Sequence, residues 1–125
     1  MMLRSLPATL GLFAGVLALT ACNSTSSPPA CTLEARAGIN LTVVDDATGQ
    51  PVANATATAR EGDFVETLQS FQAGELSGAY ERQGRYEVTV SAPGHETWRA
   101  EDVVVEADEC HVIPVRLTAR LEPAS

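Results

Sequence analysis

Alternation of apolar and polar residues is the feature of this sequence that most restricts its fold. Residues 39–43, 53–59 and 86–91 alternate with a period of two, and turn-forming residues follow the first and the last of these segments, at 45–51 and at Pro93-Gly94. A period of two places one set of side chains on the buried face of a β-strand, and several short strands separated by turns indicate a β-sandwich or barrel. No segment after residue 22 has the 3.6-residue period of a helix. The sequence therefore predicts an all-β domain.

Two segments also predict which side chains form the core. We expect the strand in residues 86–91 to bury Tyr86, Val88 and Val90 and to expose Glu87 and Thr89. We expect the last strand to alternate in the same way, with Ile113, Val115, Leu117 and Ala119 inward and Val112, Arg116 and Thr118 outward. A slip of one residue would bury charged side chains and expose aliphatic ones, so the pattern specifies the register.

The first 21 residues read as an export signal helix. Arg4 precedes an apolar stretch over residues 6–19, which is shorter than the roughly 20 residues that a transmembrane helix needs. The stretch ends in Leu19-Thr20-Ala21-Cys22, which resembles the lipobox of bacterial lipoproteins. In that family the cysteine thiol receives a diacylglycerol, the signal is cut before the cysteine, and the new amine is acylated. The alternative is an ordinary secretory signal with a chance cysteine.

The resemblance to a lipobox implies a domain order and a location. We expect a signal peptide in residues 1–21, a lipidated flexible linker in 22–31, a β-sandwich in 32–121 and a tail in 122–125. Lipidation at Cys22 would bind the protein to a bilayer, because two or more acyl chains give a stable anchor. Asn23 stands where an aspartate would resemble an inner-membrane retention signal. We therefore expect a bacterial cell-envelope protein in the outer membrane.

The three cysteines separate into one anchor and one bridge. With Cys22 assigned to the lipid, Cys31 and Cys110 remain, and they flank nearly the whole domain. An exported compartment permits disulfides, so we expect a bond between these two residues. The alternative is a two-cysteine metal or redox site, for which His95 and His111 are the two imidazoles in the chain.

Charge excludes several classes of function. The formal net charge is −8, and all eight cationic residues are arginine. A chain without lysine has no Schiff-base lysine and no P-loop lysine. An acidic chain also lacks the basic face that nucleic acid binding requires, so we expect no nucleic acid partner.

Two segments resemble a known family. Residues 48–59, with the letters TGQPVANATATA, look like the opening of carboxypeptidase regulatory-like domains, T-G-x-P-hydrophobic-x-N/G-A-x-V-x-A. Residues 84–94, GRYEVTVSAPG, are similar to that family's G-x-Y-x-V-x-V-x-A-x-G segment. The resemblance covers about residues 37–121 and implies a Greek-key β-sandwich of about seven strands, of the transthyretin-like type. One departure is His95, which stands where family members usually carry an aromatic residue.

Several polar residues are candidates for chemistry. His95 is either a metal ligand or pH-sensitive contact, or a half-buried replacement for the family's aromatic residue. Asp108-Glu109-Cys110-His111 is either a cation site or an acidic loop beside the bridge, and Asp45-Asp46 presents the same choice with a turn as the alternative. No nucleophile elbow, zinc-protease motif or EF-hand spacing occurs.

These observations together predict a non-catalytic accessory or interaction module without cofactor or bound metal. Its partners would be the lipid bilayer, through acylated Cys22, and an envelope protein or a glycan. A glycan role would use exposed aromatic residues, for which Tyr80, Tyr86 and Trp98 are the main candidates. The alternative is a small hydrolytic or metal-dependent enzyme that uses His95 or His111 with nearby carboxylates. That enzyme would need one of these histidines to lie in a concave pocket within reach of two acids.

Overall fold

The computed structural model describes residues 30–125, so the expected signal segment and Cys22 lie outside the described residues. Within this range the chain forms nine strands and no α-helix. The strands are β1 (Ala37–Asp45), β2 (Thr56–Glu61), β3 (Phe64–Thr67), β4 (Gln69–Gln72), β5 (Glu75–Tyr80), β6 (Gly84–Ser91), β7 (Trp98–Ala107), β8 (Val112–Ile113) and β9 (Val115–Leu121). Over the same residues, no helix has the length and apolar character that crossing a membrane requires.

The strands form two sheets, as expected of a β-sandwich. The first sheet has the order β4-β5-β1-β9, and the second has the order β3-β2-β6-β7-β8. All pairs are antiparallel except β1 with β9, which run parallel. The fold class is confirmed, and the structure has nine strands where the sequence predicted about seven.

A single crossing segment accounts for part of the difference in strand number. β3 pairs with β2 in the second sheet, whereas β4, which follows it closely in the chain, pairs with β5 in the first. Leu68 lies between them, is buried, and donates its backbone N–H to the carbonyl of Ala57 at 2.9 Å. The chain therefore changes sheets at Leu68.

The core forms where the alternating residues of β1, β2 and β6 face each other. Tyr86, Val88 and Val90 are buried as predicted, and they pack with the apolar residues of β1 at Ile39, Leu41 and Val43. Ala57 and Ala59 of β2 are fully buried on the same side, and their small side chains occupy little of the space between the sheets. The strand begins at Thr56 and not at Ala53, because Asn54 adopts a turn conformation with φ of 64°.

The predicted register of the last strand is wrong at its beginning. Val112 is 2% exposed and Ile113 is 48% exposed, the reverse of the expectation. Pro114 separates β8, which pairs with β7, from β9, which pairs with β1 in the other sheet. The alternation restarts after this crossing, so Ala119 is buried and Arg116 and Thr118 are exposed as predicted, while Val115 and Leu117 are only half-buried.

The sandwich has two ends that carry the candidate residues. We call the end at which β1 and β9 begin the tethered end, because a disulfide attaches the segment before β1 there; it includes residues 30–36, 81–83 and 108–111. We call the opposite end the distal end; it includes the turn at 46–50, the loop at 92–97 and residues 122–125. Each end contains one of the two histidines.

Candidate functional sites at the two ends of the sandwich

A disulfide joins Cys31 to Cys110 at the tethered end. The two Cα atoms are 5.2 Å apart, within the range of about 4.4–6.8 Å that the bond requires. The predicted pairing is therefore confirmed. Because Cys31 precedes β1 and Cys110 lies in the loop between β7 and β8, the bond fixes the point at which the N-terminal segment joins the domain.

His111 lies beside this disulfide and uses both of its ring nitrogens. Its Nδ1 atom is 2.6 Å from Oε2 of Glu81, and its Nε2 atom is 2.8 Å from Oγ1 of Thr32. The Glu81 carboxylate also accepts the backbone N–H groups of Arg36 and Val112. The Arg36 N–H group, with His111 and the Val112 N–H group, lowers the pKa of Glu81 below its ordinary value. This carboxylate joins three segments of the chain, at β1, at the end of β5 and at β8.

The acidic loop before β8 is closed by one of its own side chains. Oδ1 of Asp108 accepts the backbone N–H groups of Cys110 at 2.8 Å and His111 at 2.9 Å. These two bonds, that of His111 first, lower the pKa of Asp108. In residues 30–125 no group of three or more His, Cys, Asp or Glu side chains is arranged to hold a metal ion. The structure of this loop fits an acidic turn beside the bridge.

At the distal end, Asp45 organises the turn that follows β1. Its Oδ1 atom accepts the backbone N–H groups of Ala47 at 2.8 Å and Thr48 at 3.0 Å, and Gly49 continues the turn with φ of 77°. Aspartate commonly bonds to the backbone two residues ahead in this way, and glycine adopts a positive φ without steric cost. Asp45-Asp46 therefore forms a turn, as one of the two readings of the sequence expected.

The second carboxylate oxygen of Asp45 reaches across the distal end to His95. Oδ2 of Asp45 is 2.8 Å from Nε2 of His95, and Nδ1 of the same ring is 2.9 Å from the carbonyl oxygen of Pro93. The side chains of Asp45 and His95 are 19% and 16% exposed. The bond to Asp45, followed by that to Pro93, raises the pKa of His95, and the bond to His95 is the main cause of the lowered pKa of Asp45.

Comparison with known proteins places this fold in a family. The model of the carboxypeptidase regulatory-like domain matches residues 38–121, from the second residue of β1 to the last residue of β9. The chain belongs to the carboxypeptidase regulatory-like domain family. No curated protein matches the sequence.

The family match includes Cys110, His95 and His111 but excludes Cys31 and Thr32. In this carboxypeptidase regulatory-like domain the bridge and the His111–Thr32 contact therefore attach an N-terminal segment from outside the matched region. His95 is half-buried, and its Nε2 atom contacts the Asp45 carboxylate.

One cluster of this regulatory-like domain was missed by the sequence analysis. The Arg82 guanidinium lies 3.6 Å from the centre of the Phe64 ring, 2.8 Å from Glu61 and 2.9 Å from the hydroxyl of Tyr86. The Tyr86 hydroxyl donates to the carbonyl oxygen of Arg82 at 2.8 Å. A tyrosine at the start of a strand, four residues after the carbonyl that it binds, is the signal that could have indicated this corner. Tyr86 is buried by these contacts and cannot stack on a sugar, so it is not the glycan contact proposed for it.

Proposed function

We propose that this chain is a lipid-anchored protein of the bacterial envelope whose regulatory-like domain is a non-catalytic interaction module. The carboxypeptidase regulatory-like family is a non-catalytic β-sandwich module, which is compatible with an accessory role. The observation that carries the proposal is the pairing of Cys31 with Cys110, because it leaves Cys22, in the lipobox-like Leu19-Thr20-Ala21-Cys22, as the third cysteine of the sequence.

The position of the bridge also supports an orientation. Cys22 precedes Cys31 by nine residues, which reach at most about 30 Å when fully extended. A chain anchored at Cys22 would hold the tethered end close to the bilayer and direct the distal end away from it. Asn23 favours the outer membrane as the site of anchoring.

The environment of the two histidines favours binding over catalysis. A general base needs a ring nitrogen that can reach a substrate proton. Both nitrogens of His111 contact Glu81 and Thr32, and both nitrogens of His95 contact Asp45 and Pro93. Each ring hydrogen-bonds one carboxylate among residues 30–125. A second acid, Asp108, lines the same surface depression as His111, but its Oδ1 atom accepts the backbone N–H groups of Cys110 and His111.

The positions of the two remaining glycan candidates, Tyr80 and Trp98, favour a protein partner over a glycan. Tyr80 is 38% exposed and Trp98 is half-buried. Tyr80 ends β5 of the first sheet at the tethered end, whereas Trp98 begins β7 of the second sheet at the distal end. A sugar-binding surface would need aromatic rings grouped on one face. The distal loops, which an anchored chain would present away from the membrane, are the surface we propose for an envelope protein.

A single set of variants tests both parts of this proposal. Because the chain has no lysine for amine-reactive crosslinkers, a photoreactive residue replaces the exposed Ala47 in the distal turn. In the wild-type background we expect the protein in the membrane fraction, and its intact mass should match a chain that begins at a lipid-modified Cys22. We also expect it to crosslink to an envelope protein. Cys22→Ser should remain an uncut precursor or leave the membrane fraction, and it should lose the crosslink.

The matched control is the double variant Cys31→Ser/Cys110→Ser, which removes the other two cysteines. We expect this variant to keep its lipid and its membrane location. Unchanged processing and fractionation of Cys22→Ser would refute the anchor. A lipidated wild-type protein that forms no crosslinked product from the distal turn would refute the interaction surface.

A further inference from the structure

One carboxylate at the distal end connects three separate segments of the chain. Asp45 binds the turn that follows it through Oδ1 and the 92–97 loop through Oδ2 and His95. The same loop pairs with the C-terminal residues through the backbone. The N–H group of Glu96 donates to the carbonyl oxygen of Glu122 at 2.8 Å, and the N–H group of Ala124 donates to the carbonyl oxygen of Gly94 at 2.9 Å. His95 lies between these two bonds in the sequence and forms an isolated antiparallel β-bridge with Pro123.

The protons on His95 follow from the atoms that it contacts. The carbonyl oxygen of Pro93 and the carboxylate oxygen of Asp45 are both acceptors, so each ring nitrogen must carry a hydrogen to bond with them. A ring with hydrogens on both nitrogens is an imidazolium cation. The distal end therefore requires a charged His95 to satisfy both contacts.

His111 provides an internal contrast. Its Nδ1 atom faces the Glu81 carboxylate, and its Nε2 atom faces the hydroxyl of Thr32, which can either donate or accept. A neutral His111 with its hydrogen on Nδ1 keeps both contacts, because the Thr32 hydroxyl then donates to Nε2. The contacts of His111 therefore do not require a charged ring, whereas those of His95 do.

We propose that His95 is a protonation-dependent clamp that closes the distal end when its imidazole is charged and releases the 93–96 loop when it is neutral. The released proton passes to solvent, and Nε2 keeps its hydrogen because the bond to the Asp45 carboxylate is charge-assisted. Nδ1 then presents a lone pair to the carbonyl oxygen of Pro93, and the two lone pairs repel each other. The loop and the C-terminal residues paired with it are freed as a consequence.

Several charged groups lie on the segments that meet around His95. The end of β1 and its turn contribute Asp45 and Asp46, the loop contributes Glu96, and the C-terminal segment contributes Glu122. Arg120 is the cation of this region, and it lines a surface depression with Glu96 and Glu122. Of these groups, Asp45 is the one whose carboxylate raises the pKa of His95, and it therefore favours the closed state.

The direction of the pH response follows from the raised pKa of His95. A group with a raised pKa in the folded state contributes stability below its unfolded value, here about 6.5, and loses it as pH rises through the folded value. The clamp is therefore closed in mildly acidic solution and opens toward alkaline pH. It is a property of the folded domain and does not depend on the proposed lipid anchor.

Hydrogen exchange measured by mass spectrometry tests the clamp in the mature protein purified in detergent. After correction for the intrinsic exchange rate, we expect exchange in residues 93–97 and 122–125 to rise with pH. The rise should approach at most tenfold per pH unit below the raised pKa of His95, where the neutral fraction grows by about that factor per unit, and it should level off above that pKa, where the ring is already neutral. Exchange near the disulfide serves as the reference in the same sample.

Two variants separate the clamp from general loosening. His95→Gln should remove the pH dependence of the distal segments, whereas His111→Gln should leave it unchanged. The ring-nitrogen chemical shifts of wild-type His95 provide a readout that needs no variant, and we expect both nitrogens to be protonated at pH 6. A pH-independent distal end in the wild type, the same pH dependence in His95→Gln, or a neutral His95 at pH 6 would each overturn the proposal.

Discussion

Glu61 shows how one side chain can hold a corner of the sandwich. Its two carboxylate oxygens accept the backbone N–H of Arg85 at 2.7 Å and the guanidinium of Arg82 at 2.8 Å. These bonds, the first of them most strongly, lower the pKa of Glu61. Space for the carboxylate comes from Gly84, since a Cβ atom built on Gly84 would lie 2.6 Å from Oε2 and 2.7 Å from Oε1 of Glu61.

We predict that Gly84→Ala destabilises the domain by displacing this carboxylate. Crowding of a packed site commonly costs about 1–3 kcal/mol, and a chemical denaturation curve measures the loss. Glu61→Ala provides the matched background, because removing the carboxylate removes the steric conflict. The effect of Gly84→Ala should shrink clearly when Glu61 is alanine. Equal losses in both backgrounds would show that the glycine is needed for a different reason.

At the scale of elements, β8 and β9 form one apolar run in the sequence but two strands in the structure. Val112 faces the core from β8, and Ile113 faces solvent beside Glu106 of β7. Pro114 has no N–H group for a sheet ladder, and the chain changes sheets at this point. The change of sheet reverses the direction in which alternate residues point.

We predict that Val112→Ala costs more stability than Ile113→Ala, although isoleucine loses the larger side chain. Removing the buried valine methyl groups should cost about 2 kcal/mol, whereas the half-exposed isoleucine should cost less than about 1 kcal/mol. Urea denaturation of the two variants checks the order. A larger loss in the Ile113 variant would support the register predicted from the sequence and contradict that of the structure.

These elements show what the sequence could and could not predict. The period of two identified β1 and β6 with their inward residues, because both strands lie within a single sheet along their whole length. The same rule failed at residues 112–113, and it missed that the chain crosses between sheets at Leu68, because alternation does not record which sheet a strand joins. The sequence identified the bridge and both histidines. It did not indicate Glu81 or Asp45 as their partners, since those contacts join residues 30 and 50 positions apart.

At the scale of the whole molecule, the two ends are closed by different chemistry. The tethered end has a covalent bond between Cys31 and Cys110 together with the Glu81 and Asp108 carboxylates. The distal end is held by backbone hydrogen bonds and by the contact between His95 and the Asp45 carboxylate. A domain that is pulled or anchored from its N-terminus would be loaded at the covalent end, so β1 and its neighbours are protected from unravelling there.

We predict that the bridge is a large contributor to the stability of the whole domain. It closes a loop with a sequence separation of 79 residues, for which the chain-entropy model gives up to about 4.5 kcal/mol through the unfolded state. A reducing agent should lower the midpoint of thermal unfolding of the wild type, and Cys31→Ser/Cys110→Ser should show the same lower midpoint with or without the reductant.

Hydrogen exchange adds a spatial test, because removal of the bond should raise exchange at residues 30–36 and 108–111 more than at the distal end. An unchanged midpoint on reduction would mean that the bond restricts the unfolded chain too little to matter, and the tethered end would then depend on the carboxylate contacts of Glu81 and Asp108.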